Sequence, residues 1–176
     1  GPWGEVLAAY IQAGQGLAAA HRAGITHRDF KPENALIADD GRVRVLDFGL
    51  ARTDLGTPSI DVDETEMLRS ADMTRSDFGS LKLTRAGNLT GTPAYMSPEQ
   101  LLRKSADARS DQFSFCVSLY EALFGKRPFR GKTLATLKKK VIRGRVPEPP
   151  AKARVPQWVF RVLLRGLQVQ PCERYP

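Results

Sequence analysis

A mainly α fold carrying one small β-hairpin is what this sequence predicts, and three observations predict it. Apolar residues recur three and four apart in several separate stretches. One segment between residues 34 and 46 instead alternates in twos around a turn. The length, 176 residues with 41% hydrophobic content, suits one domain with one sizeable core.

From Glu5 to His21 the residues Val6, Leu7, Tyr10, Ile11, Leu17 and Ala18 share one helical face, and Gly24 supplies a stop. Gly14 and Gly16 lower the helix propensity, so tight packing against a neighbour is expected to maintain this helix. Asn34 to Ala38 and Arg42 to Leu46 are β-type runs flanking Asp39-Asp40-Gly41, and Val43 and Val45 alternate with Arg42 and Arg44 as in a strand with one buried face. Between Thr53 and Ser80, Asp54, Asp61, Asp63, Glu64, Glu66, Asp72 and Asp77 outnumber Arg69 and Arg75, which reads as a long mobile loop. Ala108 to Leu123 is apolar on more than one face and is therefore an interior helix. Thr133 to Ile142 is an amphipathic helix containing Lys138, Lys139 and Lys140. An extended proline linker (Pro147, Pro149, Pro150, Pro156) leads to a last amphipathic helix, Gln157 to Leu167.

The formal charge of +8 and a pI near 9.8 favour contact with polyanions. Aromatic residues are few and no nucleic-acid motif appears, so the surface reads as solvated and basic, able to attract a nucleotide but without a specific nucleic-acid partner. Cys116 and Cys172 stand far apart without metal-type spacing, so neither a disulfide framework nor a zinc site is indicated and a reducing cytoplasm is the default expectation. No apolar run is long enough to span a bilayer, and the first residues lack signal-peptide character.

The densest signal is His27-Arg28-Asp29-Phe30-Lys31-Pro32-Glu33-Asn34, followed thirteen residues after Asn34 by Asp47-Phe48-Gly49. Either motif alone is usually a surface turn or loop. In this order, across a β-hairpin, they resemble the catalytic and metal-binding signatures of the protein kinase family. The resemblance implies that residues 27–34 are a catalytic loop. In it Asp29 is the base for the substrate hydroxyl, Lys31 neutralises the γ-phosphate of ATP, and Asn34 and Asp47 hold Mg²⁺, or Mn²⁺ in its place. His27 and Phe48 would then be structural. Lys31, two residues after Asp29, accompanies serine/threonine rather than tyrosine specificity in similar kinases, so the implied partners are proteins phosphorylated on Ser or Thr.

Gly91-Thr92-Pro93-Ala94-Tyr95-Met96-Ser97-Pro98-Glu99 resembles the end of a kinase activation segment, with Ser97 in place of the commoner alanine. The implied segment runs over residues 47–99 with the acidic insertion at 53–80, and residues 108–176 form a helical subdomain. By the same resemblance Thr92 bonds Asp29 and Lys31 beside the substrate pocket, and Glu99 pairs with Arg174 despite Gln170 standing where kinases usually have Asp. Asp111 accepts backbone N–H bonds from the catalytic loop, although a plain helix-capping role fits its position equally well. Arg28 and Arg52 would repel one another until a phosphate arrives on the segment, with Thr84 the first candidate and Thr90 and Ser80 next.

The family's glycine-rich loop, strand lysine and helix glutamate have no counterpart in the chain; Gly14 and Gly16 sit in a helical pattern. The sequence therefore reads as most of the carboxyl-terminal lobe of a bacterial Hanks-type serine/threonine kinase with the amino-terminal lobe absent, a fragment inactive alone. The parent could be anchored to a membrane by other segments. Two alternatives stay open: a non-catalytic kinase-like interaction module, and a small-molecule phosphotransferase of the aminoglycoside type.

Overall fold

The computed structural model describes residues 2–48, 82–83, 89–90, 92–150 and 153–176, and of residues 82, 83, 89, 90 and 92 only the backbone. The acidic stretch 53–80, Arg52, Thr84 and Gly49 lie outside the described residues. Five α-helices stand among those described: α1 (Pro2–Arg22), α2 (Pro98–Leu101), α3 (Ala108–Phe124), α4 (Leu134–Arg143) and α5 (Gln157–Gly166). Strands β1 (Ala35–Ile37) and β2 (Val43–Val45) pair antiparallel in the register Ala35–Val45, Leu36–Arg44, Ile37–Val43. A second small antiparallel pair, β3 (Lys82–Leu83) with β4 (Leu89–Thr90), was not legible from the sequence pattern. Three short 3₁₀ turns, Pro32–Asn34, Thr92–Ala94 and Pro171–Glu173, complete the elements.

Helix α1 ends in a Schellman arrangement. Gly24 adopts φ +74°, Gly24 N–H donates to His21 O at 3.0 Å and Ile25 N–H donates to Ala20 O at 2.9 Å. The turn aims the chain back along the helix, so the 27–34 loop follows at once. Ala13 and Leu17 of α1 are buried with Phe30, and Val43 and Val45 pack onto them. Close approach explains the helical glycines: a β-carbon on Gly16 would stand 3.3 Å from Val45 Cγ2, and one on Gly14 would touch the Phe115 ring at 3.5 Å.

Helix α3 runs through the main core, which explains its lack of a polar face. Phe113, Cys116, Val117, Leu119, Tyr120 and Phe124 are buried against Leu137 and Val141 of α4 and Val159, Phe160 and Leu163 of α5. Full burial of a side chain such as Phe113 stabilises by about 1.5–3 kcal/mol. The serines of α3 are accommodated because Ser114 Oγ and Ser118 Oγ donate to the carbonyls of Ser110 and Ser114, four residues back. Phe115 packs against both this core and the α1 cluster, and so couples the helix carrying Asp111 to the elements carrying the 27–34 loop.

Candidate active site

Asp111 organises the loop from below. Its carboxylate, 1% exposed, accepts His27 N–H on Oδ2 and Arg28 N–H on Oδ1, both at 2.7 Å, and His21 Nε2 donates to Oδ2 at 2.7 Å. The capping role for α3 belongs to Asp107, which accepts Arg109 N–H and forms a reciprocal box with Ser110. Asp111 is thus free to serve the loop. Arg28 takes φ +66°, a left-handed conformation costing about 1–2 kcal/mol for a residue with a β-carbon, and it is held there by Asp111 at the His27 and Arg28 N–H groups and by Gln100 at the Arg28 carbonyl.

His27 joins the two motifs. Its Nδ1 accepts the Asp29 N–H at 3.2 Å, so the proton resides on Nε2, which donates to Leu46 O at 2.9 Å. The ring is fully buried, 4.6 Å from the Phe48 ring and 6.0 Å from Phe30. One imidazole therefore fixes the backbone at Asp29 and at the residue before Asp47.

Asp29, Lys31 and Asn34 are bonded to one another at the open end of the hairpin, where the chain also reaches Asp47. Asn34 Nδ2 donates to Asp29 O at 2.8 Å, which turns its amide oxygen away from that bond. Leu46 N–H donates to Asn34 O at 2.8 Å, extending the ladder so that Leu46 stands opposite Asn34 and Asp47 follows one residue on. Lys31 Nζ lies 3.0 Å from Asp29 Oδ2. Asp47 adopts φ +62° with its side chain exposed, and among the described residues no hydrogen bond engages its carboxylate. Among these residues no group of three or more His, Cys, Asp or Glu could enclose a metal alone. Two hard oxygen donors are what Mg²⁺ uses when phosphate and water supply the remainder, so Asn34 and Asp47 fit that ion.

A second polar cluster anchors the segment that follows residue 91. Arg174 and Glu99, 2% and 6% exposed, form a bidentate pair at 2.8 and 2.9 Å, and Ser110 Oγ donates to Glu99 Oε1 at 2.6 Å. The remaining Arg174 donors reach the carbonyls of Gln168, Arg109 and Val169, so all five N–H groups are satisfied. Burial pushes the Glu99 carboxyl upward, but the bonds from Arg174 and Ser110 outweigh it and hold it below its ordinary value. Ser97 caps α2 in a box with Gln100, and Gln100 Nε2 donates to Arg28 O at 2.7 Å. Helix α2 is therefore bonded directly to the 27–34 loop.

The structure brings Asp29, Lys31, Asn34 and Asp47 together with His27, Phe48, Arg28 and Asp111, and sets Glu99 with Arg174 beside them. Thr92 lies in its 3₁₀ turn with its side chain undescribed, and Arg52 and Thr84 lie outside the described residues. Sequence reasoning missed His21, Gln100, Ser110 and the Tyr95–Glu121 bond of 2.7 Å. His21 was marked only by its place in the last turn of a helix six residues before His27.

The protein kinase domain family matches residues 5–175, nearly the whole chain. The chain belongs to the protein kinase domain family, of the bacterial Hanks serine/threonine type. It is 37% identical over 161 residues to the serine/threonine-protein kinase PknL of Mycobacterium tuberculosis, covering 91% of this chain and 34% of that protein. It is also 35% identical over 164 residues to PknA of the same species, covering 93% and 32%. To PknE it is 34% identical over 172 residues, covering 97% and 26%. The chain thus spans between a quarter and about a third of the length of these relatives.

Proposed function

We propose that the protein carrying this chain transfers the γ-phosphate of ATP to serine or threonine hydroxyls of protein substrates. The observation that carries the reading is the convergence of Asp29, Lys31, Asn34 and Asp47 at one end of the β1–β2 hairpin, tied by His27. Asp29 accepts the hydroxyl proton as the oxygen attacks, and its orientation comes from the His27 ring and the Asn34 amide. Lys31 brings a positive charge to the same carboxylate and to the phosphoryl oxygens beside it. Asn34 and Asp47 would hold Mg²⁺, which when bound would supply charge neutralisation for the polyphosphate. The Glu99–Arg174 pair and the Gln100–Arg28 bond hold the 92–101 segment, including Thr92, against the loop.

On this reading residues 27–34 are the catalytic loop, residues 47–99 the activation segment and residues 108–176 the helical subdomain of a carboxyl-terminal lobe. The nucleotide-gripping lysine and glycine-rich loop come from outside these 176 residues, since Gly14 and Gly16 are inside α1. Thr84 remains the first candidate for a regulatory phosphate with Arg28 and Arg52 as its expected cations, although Arg52 and Thr84 lie outside the described residues. Phosphorylation of a serine peptide by the full-length protein tests the reading. Asp29→Asn and Asp47→Asn should each lower kcat by about 10² to 10⁴-fold, and full activity in both would reject the assignment. The 176 residues alone should be inactive, and robust turnover by them would refute the lobe assignment.

A further inference from the structure

Between Glu121 and Glu148 the chain carries nine basic side chains and no acidic one. Most of this charge is gathered on and just after α4, where Lys139, Lys140, Arg143 and Arg145 are exposed and Lys138 half-buried, while Leu137 and Val141 face the core. Among the described residues none of these five cations meets a carboxylate. Arg127 is the exception in the stretch: its Nε lies 3.6 Å from Glu121 Oε1, and Tyr95 Oη donates to the other oxygen at 2.7 Å. The carboxylate at the start of the stretch is therefore already engaged within the molecule.

Such a helix works against its own stability. Lys139 and Arg143 stand four apart and Lys140 and Arg143 three apart, spacings at which like charges repel. The C-terminal dipole relieves only the charges of the last turn, Lys140 and Arg143. An external anion is the remaining counter-charge. Its class follows from where α4 rests: α4 packs on α2, and α2 is bonded through Gln100 to the Arg28 carbonyl beside Asp29. A protein segment held here is thus delivered to the element that abuts the catalytic loop. A membrane is disfavoured, because Ile142 is the sole large apolar side chain that α4 exposes, and nucleic acid is disfavoured because α4 has no aromatic residue for base stacking.

We propose that the basic face of α4 is a docking surface for an acidic segment of the protein substrate, a statement that deepens the kinase reading and rests on it for the catalytic part. The test uses the full-length protein, a neutral serine peptide, and the same peptide extended by a tail of Asp and Glu. The tailed peptide is expected to show a KM about tenfold below the neutral one at low salt. That advantage should vanish in the Lys138→Gln/Lys139→Gln/Lys140→Gln/Arg143→Gln variant, with kcat on the neutral peptide unaltered. Binding of the fluorescent tail alone, read by anisotropy, should be lost in the same variant; the pair Lys139→Gln/Arg143→Gln, both exposed, gives the same readout if the fourfold variant fails to fold. Equal KM values for the two peptides, or a preference that survives neutralisation, would overturn the proposal. So would anionic vesicles binding through these lysines while the tail does not. Tail binding without phosphorylation of either peptide would leave the docking surface standing and reject the kinase reading instead.

Discussion

Replacing Arg174 by methionine isolates what the buried ion pair contributes. Methionine retains most of the stem over Phe113, whose ring the guanidinium carbon now approaches at 5.0 Å, but removes every donor. Glu99 is left buried with only Ser110, and the carbonyls of Gln168, Arg109 and Val169 lose their partner. Stranding one member of such a pair costs about 3–5 kcal/mol. Urea unfolding of the full-length protein, followed by far-UV circular dichroism, should show that loss as a lower midpoint. The double change Glu99→Met/Arg174→Met removes the stranded charge and should be more stable than Arg174→Met alone, by about 1–3 kcal/mol.

The pH dependence separates this account from simple loss of packing. In the unaltered protein Glu99 titrates below its ordinary 4.5, so its contribution is present above that pH and is lost as pH falls through the lower, folded-state value. Without Arg174, burial is the main influence left and raises the folded-state value above the unfolded one. Protonation then stabilises the variant: its deficit relative to the unaltered protein should shrink on acidification and widen as pH rises through the raised value. A deficit independent of pH, or a double variant no better than the single one, would refute the argument.

His27→Phe keeps a ring against Phe48 and Phe30 but removes the bonds to Asp29 N and Leu46 O; kcat should fall about 10²-fold with the KM for peptide little changed, as steady-state kinetics would show. Asp47→Gly should abolish activity while leaving the unfolding free energy from urea titration equal or higher by up to about 1 kcal/mol, because glycine tolerates φ +62°; a clear destabilisation would show the carboxylate to have a structural partner. Burial pushes the Cys116 thiol up to about 12, so alkylation at pH 8 followed by peptide mapping should label the exposed Cys172 and spare Cys116 until denaturant is added.

Local pattern carried much of this fold because each readable feature lies within one element. The spacing of Leu17 with the earlier apolar residues gave α1, and alternation at Val43 and Val45 gave the hairpin that sets Asn34 opposite the residue before Asp47. Contacts between distant elements have no such period. His21 and Asp111 are ninety residues apart and meet because Phe115 seats α3 against the α1 cluster, a packing outcome invisible to any short window. The cap of α3 is likewise ambiguous in sequence: Asp107-Ala-Arg-Ser lacks the glutamate or glutamine of the usual box, and Asp111 looks equally eligible until geometry assigns it to the loop.

The motif residues stand out in the sequence more clearly than the residues that support them. On the proposed kinase reading Asp29, Lys31, Asn34 and Asp47 must be particular residue types, since proton transfer and metal binding would constrain the functional group itself. Their scaffold needs only an acceptor or donor at a given point, which many residues supply. Gln100, for instance, satisfies both the Ser97 backbone and the Arg28 carbonyl, two tasks on opposite ends of one amide. The strain at Arg28 is held from α3 by Asp111 and bounded from α2 by Gln100, so the posture of Asp29 depends on two helices that lie outside the 27–34 and 47–49 motifs. Movement of α2 would therefore reach Asp29 through one peptide unit, the one between Arg28 and Asp29 whose carbonyl Gln100 holds.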